Sequence, residues 1–206
     1  VPQDIVPSKS SQRASTLRAR ALVALGANIP GCFGSPAETL VAALRRMERG
    51  PFRVECASRI FATPCFPEGA GPDYVNAAAM VSGMADAHAV LKALNVIEIE
   101  FGRRRETRWG RRTLDLDLIA FGDLVLPDPD TFLAWRDLSP EIQKIRGPDD
   151  LVLPHPRLQD RAFVLAPLLE IAPDWKHPVS GLTVAQMYDS LPRAEIAAVK
   201  PLRKAR

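Results

Sequence analysis

Asp115 and Asp117 stand one residue apart in the stretch RWGRRTLDLDLIAF, residues 108 to 121, directly after a segment in which six arginines fall between Arg103 and Arg112. Side chains alternate along a strand, so Thr113, Asp115, Asp117, Ile119 and Phe121 share one face while Leu114, Leu116, Leu118 and Ala120 share the other. The leucine face suits a core, and the strand rise sets the two aspartates roughly 7 Å apart. Like charges this close raise each other's cost of ionisation, so the pair must be solvated or neutralised. Hard divalent cations such as magnesium take oxygen ligands, often one or two carboxylates completed by water and substrate phosphates. An edge strand with a wet face would account for the spacing equally well. The arginines supply the second half of a chemistry, because guanidinium forks grip and neutralise phosphate oxygens. Carboxylates for magnesium and arginines for phosphate together point to phosphoryl transfer.

The usual nucleotide-binding loops are absent. No GxxxxGK[ST] occurs, and the glycine-rich loop containing Gly26, Gly31 and Gly34 carries no lysine of the P-loop kind. A kinase-type glycine loop with its later motifs is missing too. The net charge of +3 is too small for a general nucleic-acid binder, so the arginine cluster reads as a local field for one held anion. No apolar run approaches the roughly 18 residues of a membrane span. Cys32, Cys56 and Cys65 form no CxxC pair and leave one odd thiol in any disulfide scheme, which favours a reducing cytosol.

The elements that must position these groups follow from periodicity. Residues 1–20 are polar and rich in Ser and Arg, and read as a disordered tail, with a transit peptide as the alternative. Residues 21–206 then form a single domain. A strand over 21–27 precedes a helix with Ser35 as N-cap, Pro36 at its first position and Glu38 closing a capping box. Leu40, Val41, Leu44 and Met47 form its apolar stripe. Residues 52–62 alternate as a strand, with Phe52, Val54, Cys56 and Ile60 on one face. After the turn-rich TPCFPEGAGPD comes YVNAAAMVS, in which Tyr74, Asn76, Ala78 and Met80 face one way. Asp86 caps a second helix with Val90, Leu94, Ile97 and Phe101 inward and Gly102 as its stop. The aspartate strand follows.

Strand, helix, strand, strand, helix, strand is the α+β order of a ferredoxin-like, split βαβ fold: an antiparallel sheet with helices on one face and the other face available for a ligand. The repeated DLVLP at 123–127 and 150–154 suits two arms of a C-terminal hairpin. Between them, residues 128–149 read as an extended surface insertion, with some helical tendency at 140–145, that a short turn could replace. Short helices near 161–170 and 183–190 complete the chain.

Five stretches in register carry a resemblance to a known family. LGANI, TPCF followed by DYVNAA, IEIEFGRRR, RWGRRTLDLDL and LPHPRLQDRAF resemble the motifs of 6-hydroxymethyl-7,8-dihydropterin pyrophosphokinases of folate biosynthesis, and cover most of residues 21–175. The resemblance implies ATP as co-substrate, two magnesium ions, transfer of pyrophosphate to the pterin hydroxymethyl group with release of AMP, and a cytoplasmic monomer with no nucleic-acid or membrane partner. By position it implies magnesium on Asp115 and Asp117, and catalytic arginines at Arg103, Arg105 and Arg112. It further implies a nucleotide site of Glu98, Trp109, Arg112, His155 and Arg161. The pterin site would hold Thr63, Pro64, Phe66, Tyr74, Asn76 and Phe163. Ala27 and Arg111 depart from the family's serine and proline, and neither removes a catalytic group.

Ferredoxin-like sheets also serve as RNA-recognition and ligand-sensing modules. The RNA version needs exposed aromatics in an RGFGFVxF-like pattern, which this sequence lacks. Non-catalytic sensing of a small ligand is the competing reading.

Overall fold

The computed structural model describes residues 19–65, 71–102, 113–139, 141–142 and 146–202. Its sheet is built from β1 (Ala21–Ala27), β2 (Arg53–Ala57), β3 (Phe61–Thr63), β4 (Tyr74–Ser82), β5 (Asp115–Phe121) and β6 (Lys200–Pro201). The strand order is β5-β1-β4-β3-β6, with β2 also on β4 and every pairing antiparallel. β1 and β2 therefore run parallel on opposite sides of β4, which is the split arrangement the element order implies.

Helices α1 (Pro36–Glu48) and α2 (Ala87–Glu100) form where the capping grammar places them. Ser35 Oγ accepts from the Glu38 N–H at 3.3 Å, and Glu38 Oε2 accepts from the Ser35 N–H at 2.8 Å. Asp86 Oδ1 accepts from the Ala89 N–H at 2.8 Å, and Gly102, at φ +80°, turns the chain out of α2. The buried face of α1 is Thr39, Leu40, Ala43 and Met47, while Val41, expected inside, is exposed. Leu40, Met47, Leu94 and Ile97 pack on Val23, Leu25, Ala77, Ala79, Val81, Leu116 and Leu118 of the sheet and on Leu114 just before β5. Each such large apolar side chain contributes about 1.5 to 3 kcal/mol by leaving water.

Four sequence expectations are corrected. The 52–62 segment is two short strands end to end along β4, because a bulge between Val54 and Cys56 shifts the register and Ser58 then accepts the Ala78 N–H through its own Oγ at 2.9 Å. The strict alternation in β5 fails at its far end. A register shift opposite Leu22 and Val23 sends both Ile119 and Ala120 to the second face and returns Phe121 to the first core.

Helices are not confined to one face. Helix α4 (Ala162–Ile171) lies on the second face, where Val164, Leu165 and Leu168 join Leu22, Ala78, Ile119 and Ala120. Glu170 anchors it to the β2–β3 connection by accepting from the Arg59 N–H at 2.8 Å and from Arg59 Nε at 2.7 Å. Helices α5 (Val184–Asp189) and α6 (Arg193–Ala198) follow, the second of them unanticipated.

The 128–149 insertion, finally, is not an extended surface loop. It opens with helix α3 (Pro129–Arg136), capped by Asp128, and Phe132 within it is 0% exposed. Pro140 and residues 143–145, where helical tendency was expected, lie outside the described residues. The two DLVLP arms do meet, through paired backbone hydrogen bonds of 2.9 and 3.1 Å between Leu126 and Leu153. Residues 1–18 of the expected tail are also outside the described set.

Candidate active site

The second face of the sheet is apolar where α4 covers it and polar at the other end. Asn76 on β4, Gly26 on β1 and Asp115 on β5 are direct partners across three strands, and Ala78, Ala24 and Asp117 form the next row. Gly26 and Ala24 leave almost nothing standing between the asparagine and the two carboxylates. A Cβ at Gly26 would come within 3.3 Å of Asn76 Oδ1, close enough that the amide would have to shift by a few tenths of an ångström.

Each side chain here is held by its surroundings. Asn76, 6% exposed, donates from Nδ2 to Thr63 Oγ1 at 2.7 Å, which fixes the amide's orientation. Thr63 pairs with Tyr74 on the neighbouring strand, so both stand on the same face as Asn76. Asp73 Oδ1 accepts from the Cys65 N–H at 3.2 Å and steadies the turn that carries Pro64. Asn28, 5% exposed, donates from Nδ2 to the Pro72 carbonyl at 3.5 Å, joining two loops at the rim. It sits in the quoted LGANI stretch and had been given no role.

Glu98 is 2% exposed, and its Oε1 accepts from the Leu116 N–H at 2.7 Å on the outer edge of β5. The resemblance implied a nucleotide-lining position for it. The structure shows its carboxylate bonded to the backbone of the residue between Asp115 and Asp117.

The 155–163 segment reaches the aspartates from forty residues away in sequence. The His155 N–H donates to the Ile119 carbonyl at 2.8 Å, docking the segment beside β5. Nδ1 of His155 accepts from the Arg157 N–H at 3.1 Å, so in the neutral ring the proton sits on Nε2. Burial of the ring, then the charges of Arg161 and Arg157, push the His155 pKa down to about 3 against an opposing pull from Asp115. The histidine is therefore a neutral donor near pH 7. Arg157 had no role at the sequence level. Its Nε is buried without a hydrogen-bond partner among the described residues.

Arg161 lies with its guanidinium 5.6 Å from the centre of the Phe163 ring, and both line a cavity of about 430 Å³ with Thr63, Pro64 and Cys65. Two of the expected pterin-side residues from the front of the chain thus meet two expected groups from its end. Arg103, Arg105, Trp109, Arg112 and Phe66 lie outside the described residues.

The oxygen-only donor set of Asp115 and Asp117, both half-buried on one face with small residues beside them, fits a magnesium ion that shares its coordination with phosphates.

The family described as 7,8-dihydro-6-hydroxymethylpterin-pyrophosphokinase matches residues 22–173. The chain is 35% identical over 189 residues to the 2-amino-4-hydroxy-6-hydroxymethyldihydropteridine pyrophosphokinase of Synechocystis sp., covering 88% of this chain and 80% of that one. It is 36% identical over 160 residues to the enzyme of the same name from Pseudomonas aeruginosa, covering 77% and 84% respectively. Among solved structures, an HPPK-DHPS in complex with substrates aligns with a TM-score of 0.59 at 13% identity over 84% of this chain. Wild-type HPPK-DHPS from Plasmodium falciparum aligns with a TM-score of 0.58 at 15% identity. At those identities the likeness is one of fold. The chain spans 43% and 41% of the two solved chains.

Proposed function

Because the chain belongs to the 7,8-dihydro-6-hydroxymethylpterin-pyrophosphokinase family, whose members transfer pyrophosphate from ATP to hydroxymethyldihydropterin in folate biosynthesis, we propose that it runs this reaction at the polar end of the second sheet face. The observation that carries the assignment is the row Asn76, Gly26, Asp115 with Asp117 in the next register. It places an amide suited to a heterocycle edge across a bare backbone position from two carboxylates.

The pterin lies toward Asn76, Thr63, Pro64, Tyr74 and Phe163, with Phe66 from the adjoining loop. Asn76 reads the ring edge with an amide that offers both donor and acceptor. The triphosphate lies toward Asp115, Asp117, His155 and Arg161, with Arg103, Arg105, Arg112 and Trp109 closing from the arginine-rich segment. Two magnesium ions held by Asp115 and Asp117 would supply charge neutralisation for the phosphates and lower the pKa of the hydroxymethyl oxygen. His155 Nε2–H donates to a phosphate oxygen, and Arg157 adds a second positive group beside Arg161. The hydroxymethyl oxygen attacks the β-phosphorus and releases its proton to solvent, the bond from that phosphorus to the α,β-bridging oxygen breaks, and AMP leaves with the bridging oxygen. No side-chain nucleophile is needed, so the protein contributes positioning and charge. The three free thiols suit a reducing cytosol.

Incubation with ATP, magnesium and 6-hydroxymethyl-7,8-dihydropterin is expected to yield AMP and the pterin diphosphate, and only when pterin and divalent ion are both present. ADP would indicate an ordinary kinase. Intact ATP in the presence of folded protein would favour the sensing module. Either result overturns the proposal.

Asn76→Ala separates the two halves of the site. It is expected to weaken pterin binding by about 1 to 3 kcal/mol, the cost of an unmet heterocycle edge in a closed site, while ATP binding stays within error. Equal losses for both ligands in calorimetry would make Asn76 a purely structural residue.

A further inference from the structure

Residues 193–202 return to the sheet beside the candidate active site. β6 pairs antiparallel with β3, with Phe61 opposite Pro201 and Ala62 opposite Lys200, and the Leu202 N–H donates to the Ile60 carbonyl at 2.8 Å. β3 has only three residues, and β4 takes one of its edges, so β6 occupies the other. A strand paired on both sides is fixed in register. β3 ends in Thr63, whose Oγ1 holds the Asn76 amide.

Helix α6 comes directly before β6 and packs against α4. It buries none of its six residues, and its N-cap Pro192 makes no side-chain cap. So short a helix is not stable by itself, and its place is set by the strand behind it and by what its face meets. That face is Glu195, Ala198 and Val199, spaced i, i+3 and i+4. All three line the 430 Å³ cavity that also holds Thr63, Pro64, Arg161 and Phe163. Ala198 and Val199 are half-buried and Glu195 is exposed. Small apolar side chains beside a few polar groups are the lining of a pocket for a compact organic ligand. Both α6 and β6 lie beyond residues 22–173, the part of the chain that matches the family.

We infer that α6 is a wall of the pterin site, where Ala198 and Val199 limit the size of the ring system admitted, and that β6 holds this wall in register with Thr63. The inference rests on the pyrophosphokinase reading for the identity of the ligand. It brings the end of the chain into substrate selection, a role that none of the five motifs covers.

A size series at position 198 tests this by calorimetry, without reliance on turnover. 6-Hydroxymethyl-7,8-dihydropterin is titrated into protein saturated with magnesium and a non-hydrolysable ATP analogue, and the analogue is titrated separately into protein with magnesium alone. Ala198→Ser is expected to bind the pterin within about twofold of wild type, Ala198→Val about three- to fivefold more weakly, and Ala198→Phe about tenfold more weakly or worse, while affinity for the analogue stays within about twofold in all three. A helix that merely supported the fold would weaken both ligands alike, with no dependence on side-chain volume. Pterin affinity unchanged in Ala198→Val and Ala198→Phe, or losses shared equally by the analogue, overturns the inference. Should Ala198→Phe fail to fold, Ala198→Val decides alone. If wild-type protein does not bind the pterin, the pyrophosphokinase reading falls, and this inference with it.

Discussion

Asp115→Asn and Asp117→Asn are each expected to fold like the parent chain and to lose turnover by roughly three powers of ten, the scale on which one preorganised charge-stabilising group acts in a water-excluded site. Both carboxylates stand on the sheet face that α4 leaves uncovered, beside Ala24 and Gly26. Their strand is anchored independently of them by Glu98 on the Leu116 N–H. Removing one charge therefore leaves the backbone where it was. What is lost is an oxygen donor of the kind a hard divalent ion requires, together with part of the negative charge that sets off the surrounding arginines. Single-turnover rates across a magnesium titration, with circular dichroism on the same samples, provide the measurement. Activity within tenfold of wild type at saturating magnesium in either variant would remove the aspartates from the mechanism.

Phe132→Ala carries the largest expected effect on stability. A fully buried phenylalanine truncated to alanine loses its transfer energy and leaves a cavity, about 3 to 5 kcal/mol. For a domain of this size that corresponds to roughly 6 to 20 °C in melting temperature. Replacing residues 129–148 by a Gly/Ser turn is expected to cost at least as much, because it strips the same ring from His177. Thermal unfolding of the two variants decides the matter. A melting temperature unchanged in the turn replacement would return the insertion to the replaceable surface loop that its composition suggests.

Capping and turn chemistry made much of this architecture readable before any coordinates. Ser35 with Glu38, Asp86 with its helix, and Gly102 as a stop are local interactions, decided within four residues, and they form as the sequence implies. The inward residues of α2 and the leucine face of β5 follow from periodicity for the same reason. Motif order identified the family, since five short stretches in register constrain far more than any one of them.

The rest depended on contacts between distant parts of the chain. Whether β5 alternates to its end is settled by a register shift against β1, which no residue of β5 announces. Whether Phe132 is core or surface depends on the His177 turn, which lies far along the chain. Motif matching marks Glu98 as a nucleotide-site position, but that it satisfies the Leu116 N–H at the edge of β5 appears only when the sheet is assembled. The meeting of Asn76, Gly26 and Asp115 is likewise a matter of pairing register: three separate strands, each locally ordinary, form a site only when the sheet is assembled. Local sequence determines which elements form and where they stop, because those free energies are summed over neighbours in the chain. Which side chains face one another across the sheet is decided by packing the whole, where a single shifted residue reverses the face of everything beyond it.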